Sequence, residues 1–185
     1  MTVTIDLVGH MDAGDRSAWQ GDQDERPLSE LGRRQAEAIA DALGSEPVDA
    51  LYAGPALRCR QTLEPIARQA GLSIVTLQEF GEETWRLPEG WRESSDQIVR
   101  SAVLGSHAAG QALAGIEKIR AERVEGRAVV CSHGHIIPAL AAFFVGAHGL
   151  EGVGERSQRG QWYRVRIDGA RVGVELRMTA QFPNP

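Results

Sequence analysis

The sequence predicts an α/β fold with helices on both faces of a mainly parallel sheet, which is a three-layer α/β/α sandwich. Short β-branched and apolar runs alternate along the chain with segments whose apolar residues recur at helical spacing. Two of the apolar runs stop at a histidine, and α/β proteins present reactive side chains in this way at the carboxyl edge of the sheet. With 185 residues and no evident linker, one domain over residues 1–185 is expected.

The first strand is predicted at residues 2–8, where the sequence is β-branched and apolar. Residues 11–26 are rich in Asp and Gly and have no period, so they are predicted to form a loop. A loop of this length beside a strand end is usually functional. A helix is predicted to open at residues 27–30, with Ser29 as its N-cap, and to stop at Gly44.

The remaining elements continue the alternation of strands and helices. In chain order they are a strand at 48–52, a helix through 58–67 that ends at Gly71, a strand at 73–77, an acidic and aromatic loop or lid at 80–91, a helix over most of 95–123, a strand at 127–131, a helix at 136–145, and a hairpin of 161–167 with 171–178 around Asp168-Gly169. Pro65 is a potential kink in its helix. Gly105, Gly110 and Gly115 each weaken the long helix by roughly 1 kcal/mol relative to alanine, which leaves its ends open.

Composition excludes several classes of protein. The net charge of −5, without a basic stripe interleaved with aromatic residues, argues against a nucleic-acid partner. Cys59 and Cys131 lack metal-ligand spacing and are expected to be reduced thiols in a cytoplasmic protein. No apolar run approaches about 20 residues and the first residues lack a charged segment and cleavage site, so neither a membrane span nor a secretory signal is expected.

Three motifs of the sequence lie at predicted strand ends. They are Leu7-Val8-Gly9-His10 followed by Ala13-Gly14-Asp15, the run Gly54-Pro55-Ala56-Leu57-Arg58-Cys59-Arg60-Gln61-Thr62, and Val129-Val130-Cys131-Ser132-His133-Gly134. In order and spacing they resemble the signatures of the histidine phosphatase superfamily, and the resemblance covers essentially the whole chain. The chain is most similar to small bacterial members akin to phosphohistidine phosphatases and to the phosphatase domain behind a Nudix domain in some actinobacterial hydrolases. The resemblance implies a phosphoglycerate mutase-like fold.

The resemblance also implies a mechanism and a set of site residues. His10 matches the nucleophile, which attacks phosphorus and forms a phosphohistidine that water then hydrolyses. Arg58, four residues before a threonine in the Arg-x-x-x-Thr pattern, matches a phosphate-binding arginine. His133 matches the second histidine of the clamp, which is the set of side chains that holds the phosphoryl oxygens. Glu82 matches the proton donor, with Glu83 as a close competitor because the loop alignment can slip by one residue. The implied activity requires no metal and no cofactor.

The sequence departs from the family pattern on both sides of the candidate nucleophile. Where the family has Arg-His-Gly or Arg-His-Ala, this chain has Gly9-His10-Met11. Glycine cannot replace the bidentate hold of a guanidinium on a phosphate, and Met11 adds bulk near the expected ligand. Losing one such donor typically costs on the order of 100- to 1000-fold in turnover. Arg16, Arg26 and Arg60 are potential substitutes, but the sequence does not place any of them at the vacated position.

The alternatives differ in class. The leading hypothesis is a weakened phosphatase that acts on a small phosphorylated substrate or a phosphoprotein, and its rival is a pseudophosphatase that binds such a ligand without turnover. A mutase is less favoured because no insertion for a bisphosphate-handling lid is evident. His10, His133 and His135 also suggest a metal site, but no carboxylate or cysteine partner has ligand spacing. Substrate identity and oligomeric state stay open.

Overall fold

The computed structural model describes residues 2–82, 96–123, 125–151, 158–180 and 182–183. Its strands are β1 (Thr2–Gly9), β2 (Ala50–Ala53), β3 (Ile74–Thr76), β4 (Gly126–Ser132), β5 (Gln161–Asp168) and β6 (Arg171–Met178). Its α-helices are α1 (Glu30–Leu43), α2 (Leu57–Ala70), α3 (Gln97–Glu122) and α4 (Ile136–His148), and short 3₁₀ helices span Gln23–Glu25 and Gln78–Phe80. Each predicted strand and helix is present within a few residues of its expected bounds.

The strands form one sheet in the order β3-β2-β4-β1-β5-β6. β1 is parallel to β4, and β2 is parallel to both β3 and β4, whereas β5 is antiparallel to β1 and β6 is antiparallel to β5. The mainly parallel sheet predicted from the sequence is therefore confirmed. Because β1, β2 and β4 run in the same direction, the residues that follow them meet at one edge of the sheet.

Helices cover both faces of this sheet. α1 packs on α2 and α3 packs on α4. Successive residues of β1 alternate between the two layers: Leu7 lies in the core with residues of α3 and α4, and Val8 lies in the core with residues of α1 and α2. This alternation confirms the predicted three-layer α/β/α sandwich.

Proline and glycine interrupt the helices less than their propensities suggest. Pro65 lies within α2, which continues to Ala70. α3 runs without a break through its glycines, and Gly115 has a packing reason to be there, since a Cβ at this position would lie 2.7 Å from Cζ of Phe80. Most of the predicted loop or lid at 80–91, with Trp85 and Trp91, lies outside the described residues.

A buried ionic network joins the three central strands at the level of Asp6, which is fully buried in β1. Arg127 of β4 donates from Nε to Oδ2 of Asp6 at 2.7 Å, and Arg164 of β5 donates from Nε to Oδ1 at 2.7 Å. Trp162 adds an indole N–H to the same Oδ1 at 3.2 Å. None of the described helices is long and apolar enough to cross a membrane.

Candidate active site

The carboxyl edge of the sheet brings together the four residues that the sequence singled out. His10 directly follows β1, and its backbone N–H donates to the carbonyl of Ser132 in β4 at 2.8 Å. His133 follows β4, and Arg58 lies in the first turn of α2, after β2. Glu82 approaches them from the segment after Gln78–Phe80.

The imidazole of His10 is oriented by its own backbone. Nδ1 lies 2.8 Å from the carbonyl oxygen of Met11, which can only accept, so Nδ1 carries the proton. The neutral ring then has its lone pair on Nε2, and Nε of Arg58 donates to that atom at 3.3 Å. Burial lowers the pKa of His10 to about 4. The charges of Arg58, Arg159 and Arg26 also lower this pKa, whereas the hydrogen bond to Met11 raises it. The ring is therefore neutral at pH 7, with Nε2 available as a nucleophile.

Arg58 lies at the centre of the cluster, and its side chain is 1% exposed. Nη2 donates to Oε2 of Glu82 at 3.0 Å and lies 3.3 Å from Nδ1 of His133. Nη1 donates to the carbonyl of Gln23 in the loop after β1. Partners on three sides fix the guanidinium next to His10, and a fixed guanidinium suits the recognition of an anion.

The ring of His133 stands at right angles to that of His10, with 5.4 Å between the ring centroids. Its Nδ1 faces the guanidinium of Arg58, a donor, so Nδ1 accepts and Nε2 carries the proton, 3.9 Å from Sγ of Cys59. Burial lowers the pKa of His133 to about 2, and the neighbouring charges of His10 and Arg58 lower it further. His133 is neutral when the pocket is empty.

Glu82 connects the buried cluster to the solvent. Oε2 accepts from Arg58, and Oε1 lies 3.5 Å from Nη1 of Arg16 at the rim of the pocket. The preceding Phe80 is anchored in the core, and its carbonyl accepts a hydrogen bond from Oγ of Ser132 at 2.7 Å. This anchor ties the position of Glu82 to the end of β4. Glu83, the competitor for the same role, lies outside the described residues.

Thr62 explains the Arg-x-x-x-Thr spacing in physical terms. Its hydroxyl donates to the carbonyl of Arg58 one helical turn earlier, at 2.8 Å, and accepts from the N–H of Met11 at 3.0 Å. The first turn of α2 is thereby linked to the residue after His10. The side chain of Met11 is fully buried in the core with residues of α1 and α2, so the core accommodates the bulk that the sequence suggested for the pocket.

Gly9 leaves open space beside the cluster. A Cβ at this position would have only Cα of Gly134 within 4 Å, at 3.9 Å. Gly134, in turn, has no heavy atom within 4 Å of its own hypothetical Cβ. Position 9, where the family pattern has an arginine, therefore has room for a side chain and carries none.

The three potential substitutes for that arginine lie at different places. Arg60 is exposed on α2, and Arg16 is paired with Glu82. Arg26 is 7% exposed, and its Nη1 donates to the carbonyls of Ala13 at 2.7 Å and Gly14 at 3.1 Å. Arg26 therefore braces the loop after β1, and its charge is among those that lower the pKa of His10.

A further arginine, Arg159, was not singled out from the sequence. Its Nη1 lies 3.1 Å from Oδ1 of Asp12, two residues after His10. Burial alone would raise the pKa of Asp12, but hydrogen bonds from Ser29 and Gly14 and the nearby charges of Arg159 and His10 lower it. Only the position of β5 beside β1 reveals this contact, since 147 residues separate Arg159 from Asp12 along the chain.

The cluster combines side chains that suit an anion. Within the ranges that the structure describes, no three or more His, Cys, Asp or Glu side chains are placed to hold a metal ion. His135 is exposed and stacks on His133, with 5.8 Å between the ring centroids. A lone pair on a neutral imidazole, a fixed guanidinium and a carboxyl group within hydrogen-bonding reach of it are the groups that phosphoryl transfer requires.

Comparisons with known proteins give matches along most of the chain. Residues 9–178 match the model of the histidine phosphatase superfamily, branch 1. A curated relative, the 8-oxo-(d)GTP phosphatase of Mycolicibacterium smegmatis, is 29% identical over 175 residues, which cover 94% of this chain and 48% of that protein. The chain thus spans about half the length of the relative that it matches.

Solved structures share the fold at low sequence identity. The phosphoglycerate mutase from Bacillus anthracis superposes with a TM-score of 0.64 at 16% identity, over 94% of this chain and 92% of that one. The mycobacterial glucosyl-3-phosphoglycerate phosphatase, in its complex with VO₃, superposes with a TM-score of 0.63 at 18% identity, over 96% and 99% of the two chains. At these identities the likeness concerns the fold.

Proposed function

Because this chain belongs to branch 1 of the histidine phosphatase superfamily, we propose that it is a metal-independent phosphatase that forms a phosphohistidine at His10. The observation that carries the proposal is the orientation of the His10 ring. Its Nδ1 is held by the carbonyl of Met11, and its unprotonated Nε2 faces the guanidinium of Arg58. This arrangement presents a nucleophilic nitrogen beside a cation that attracts a phosphate.

In the proposed first step, Nε2 of His10 attacks the phosphorus of a bound phosphomonoester. The N–P bond forms as the P–O bond to the leaving group breaks, and Glu82, which enters this step as the carboxylic acid, gives its proton to the departing oxygen. In the second step a water molecule attacks the phosphohistidine and returns a proton to Glu82, which releases inorganic phosphate and neutral His10. The cycle consumes one water and uses no cofactor.

Charge stabilisation falls to Arg58, and to His133 once a bound phosphoryl oxygen replaces Arg58 at Nδ1 and the ring carries a proton on that atom. The guanidinium of Arg58 already makes hydrogen bonds toward His10 and Glu82, and a phosphoryl oxygen would replace one of these partners. The imidazole of His133 lines the other side of Arg58. The clamp lacks the arginine that the family pattern places before the nucleophile, and we expect slower turnover than in a pocket with that arginine.

The proposed substrate class is a small phosphorylated molecule or a phosphoprotein. The curated relative is an 8-oxo-(d)GTP phosphatase, so a nucleoside phosphate is one candidate substrate for this chain. A phosphohistidine protein is the other, on the resemblance of the sequence motifs. Neither candidate requires more of the pocket than a phosphoryl group that reaches His10.

The test is hydrolysis of 4-nitrophenyl phosphate by the wild type, His10→Ala and His148→Ala. His148 is an exposed histidine at the end of α4 and serves as the matched control. Loss of the nucleophile is expected to lower kcat by at least about 1000-fold, whereas the control keeps wild-type activity. Acid-labile phosphate on a peptide that contains His10 would identify the intermediate.

Glu82→Gln should slow the hydrolysis of an alkyl phosphate more than that of the nitrophenyl ester, because a poor leaving group depends more on the donated proton.

Two results would contradict the proposal in different ways. Hydrolysis that survives in His10→Ala would mean that another residue, or another protein in the sample, does the chemistry. A wild type that binds inorganic phosphate but never turns over would be the pseudophosphatase, an alternative for which the comparisons offer no support.

A further inference from the structure

We propose that Arg159 binds the phosphoryl group of the substrate and replaces the arginine that is absent at position 9. This inference rests on the proposed phosphatase function. It assigns a phosphate-binding role to a residue that lies outside the three sequence motifs and reaches the site from the far end of the chain.

The topology of the sheet brings Arg159 to the site. β5 runs antiparallel to β1, and the last pair in the register is Val8 with Trp162. The residues just before β5 therefore lie beside the residues just after β1, which include His10. Gly160, with a φ of +85°, turns the chain at this point, and its carbonyl accepts from the N–H of Thr179.

The contacts of Arg159 show that its guanidinium is held next to the nucleophile by a weak bond. Its described ion pair joins Nη1 to Oδ1 of Asp12 at 3.1 Å, and the side chains are 48% and 19% exposed. An ion pair with this exposure contributes about 0–1 kcal/mol, so moving the guanidinium to a stronger partner costs little. A phosphate dianion beside His10 is such a partner, because it offers two charges and a bidentate geometry.

The residue before His10 has no side chain that would compete with Arg159 for a phosphate. A Cβ at Gly9 would have only Cα of Gly134 within 4 Å, so no side chain at position 9 blocks the approach of a guanidinium. Arg159 is also close enough to His10 for its charge to lower the pKa of the imidazole. The position, the space and the charge converge on one residue.

The other nearby arginines are less free to take this role. Nη1 of Arg26 is committed to the carbonyls of Ala13 and Gly14, and the side chain is buried. Arg16 pairs with Glu82, and its charge acts on His133. Arg26 therefore acts as a brace for the loop, and Arg16 lies at the rim on the side of Glu82.

A double-mutant cycle tests the proposal with 4-nitrophenyl phosphate as the substrate and inorganic phosphate as a competitive inhibitor. The variants are Gly9→Arg, Arg159→Ala and the double variant. Arg166→Ala is the matched control, since Arg166 lies on β5 and is 51% exposed in an ion pair with Glu175 at 2.9 Å. Circular dichroism checks that each variant is folded.

Arg159→Ala is expected to lower kcat/KM by about 10- to 100-fold and to weaken inhibition by phosphate, whereas Arg166→Ala changes neither. Gly9→Arg is expected to raise kcat/KM by less than about 10-fold when Arg159 is present. In the Arg159→Ala background, the increase caused by Gly9→Arg is expected to be at least about 10 times larger. A merely structural role of Arg159 would not produce this rescue from position 9.

The proposal is overturned if Arg159→Ala matches Arg166→Ala, or if Gly9→Arg raises kcat/KM equally in both backgrounds. Failure of the proposed function looks different, because hydrolysis would then be absent or independent of His10 in every variant. If no variant hydrolyses, calorimetric titration with inorganic phosphate decides: weaker binding by Arg159→Ala alone supports the role of Arg159, and equal or absent binding contradicts it.

Discussion

At the scale of single residues, the chemistry depends on which nitrogen of His10 is unprotonated. The Met11 carbonyl holds the proton on Nδ1, and burial keeps the ring neutral. Arg58 then approaches Nε2 as a hydrogen-bond donor. In the proposed mechanism no proton therefore has to be removed from His10 before it attacks phosphorus.

The pKa of His10 makes a prediction for titration by NMR. Burial and the surrounding arginines lower this pKa from 6.5 to about 4, so the ring resonances are expected to titrate with a midpoint near 4. The unfolded chain takes up this proton first as the pH falls, so the contribution of His10 to the free energy of unfolding is complete above pH 6.5 and declines from 6.5 to 4. Spectra of His10→Ala assign the resonances. A midpoint at 6.5 or above would contradict the buried, neutral ring.

Sequence motifs identified part of the site. The proximity of Arg58, His10 and His133 could be predicted from the sequence. The prediction rested on the fixed offset of Arg58 from Thr62 and on the strand ends that precede the two histidines. Arg159 was missed as a site residue because it lies outside the three motifs and reaches the site only through the pairing of β5 with β1. The turn after Phe80 placed Glu82, and the pattern alone did not separate it from its neighbour Glu83.

At the scale of secondary structure elements, α1 supports the segment that follows the nucleophile. Ser29 caps α1 by accepting from the N–H of Gly32 at 3.0 Å, and its own N–H donates to the carbonyl of Asp12 at 2.9 Å. Gln35 accepts from the N–H of Asp12 at 3.1 Å. The first two turns of α1 therefore fix the backbone just beyond His10.

Gly32 is the point of closest approach in this support. A Cβ there would lie 1.9 Å from the carbonyl oxygen of Asp12, which is backbone and cannot move aside cheaply. We expect Gly32→Ala to lower the free energy of unfolding by about 1–3 kcal/mol and to impair phosphate binding by displacing Asp12. Urea unfolding and phosphate titration would measure the two effects.

Gly105→Ala provides the matched control for this substitution. Gly105 is also a helical glycine, in α3, but a Cβ there has no heavy atom within 4 Å. The same change should stabilise the protein by about 0.5–1 kcal/mol, because alanine favours the helix. Equal effects at both positions would show that helix propensity, rather than the contact with Asp12, governs the result at Gly32.

The elements themselves were largely predictable, since the periodicity of apolar residues marked each helix and strand. The cap at Ser29 and the left-handed Gly71 at the end of α2 agree with the residue types at those positions. The continuity of α3 was harder to predict, because its three glycines lower helix propensity. Packing against Phe80 requires one of them, Gly115, and this tertiary contact overrides the local preference.

At the scale of the whole molecule, the buried carboxylate of Asp6 holds three strands in register. Arg127 and Arg164 approach it from the neighbouring strands β4 and β5. The hydrogen bond to Asp6 raises the pKa of Arg164 above its ordinary value despite burial, and Glu46 contributes to the same shift. The strand that carries Arg159 is thus tied to the strand that carries His10.

Asp6→Asn is expected to be severely destabilising, because it leaves two buried guanidinium groups without their shared anion. Removal of one partner of a buried ion pair typically costs about 3–5 kcal/mol, and we expect a loss of this size in urea unfolding. Glu37→Gln is the control, since Glu37 and Arg68 form an ion pair with side chains 56% and 63% exposed. Its change should stay within about 0.5 kcal/mol. Similar losses in both variants would contradict the structural role of the Asp6 network.

The fold class followed from the alternation of elements, but the order of strands did not. Parallel strands joined by helices place their carboxyl ends together in most arrangements, which is why His10 and His133 could be expected to meet. Nothing in the periodicity says that the antiparallel hairpin pairs with β1 rather than with β3 at the other edge of the sheet. That choice depends on long-range contacts such as those of Asp6 with Arg164.

The absence of a side chain at Gly9 also bears on the selectivity of inhibitors. A bulky substituent on a phosphonate would find room beside Gly9, whereas an arginine before the nucleophile would occupy that space. Such a compound would discriminate this pocket from those of relatives that keep the arginine. The missing side chain thus provides a chemical handle for separating one member of a large family from the others.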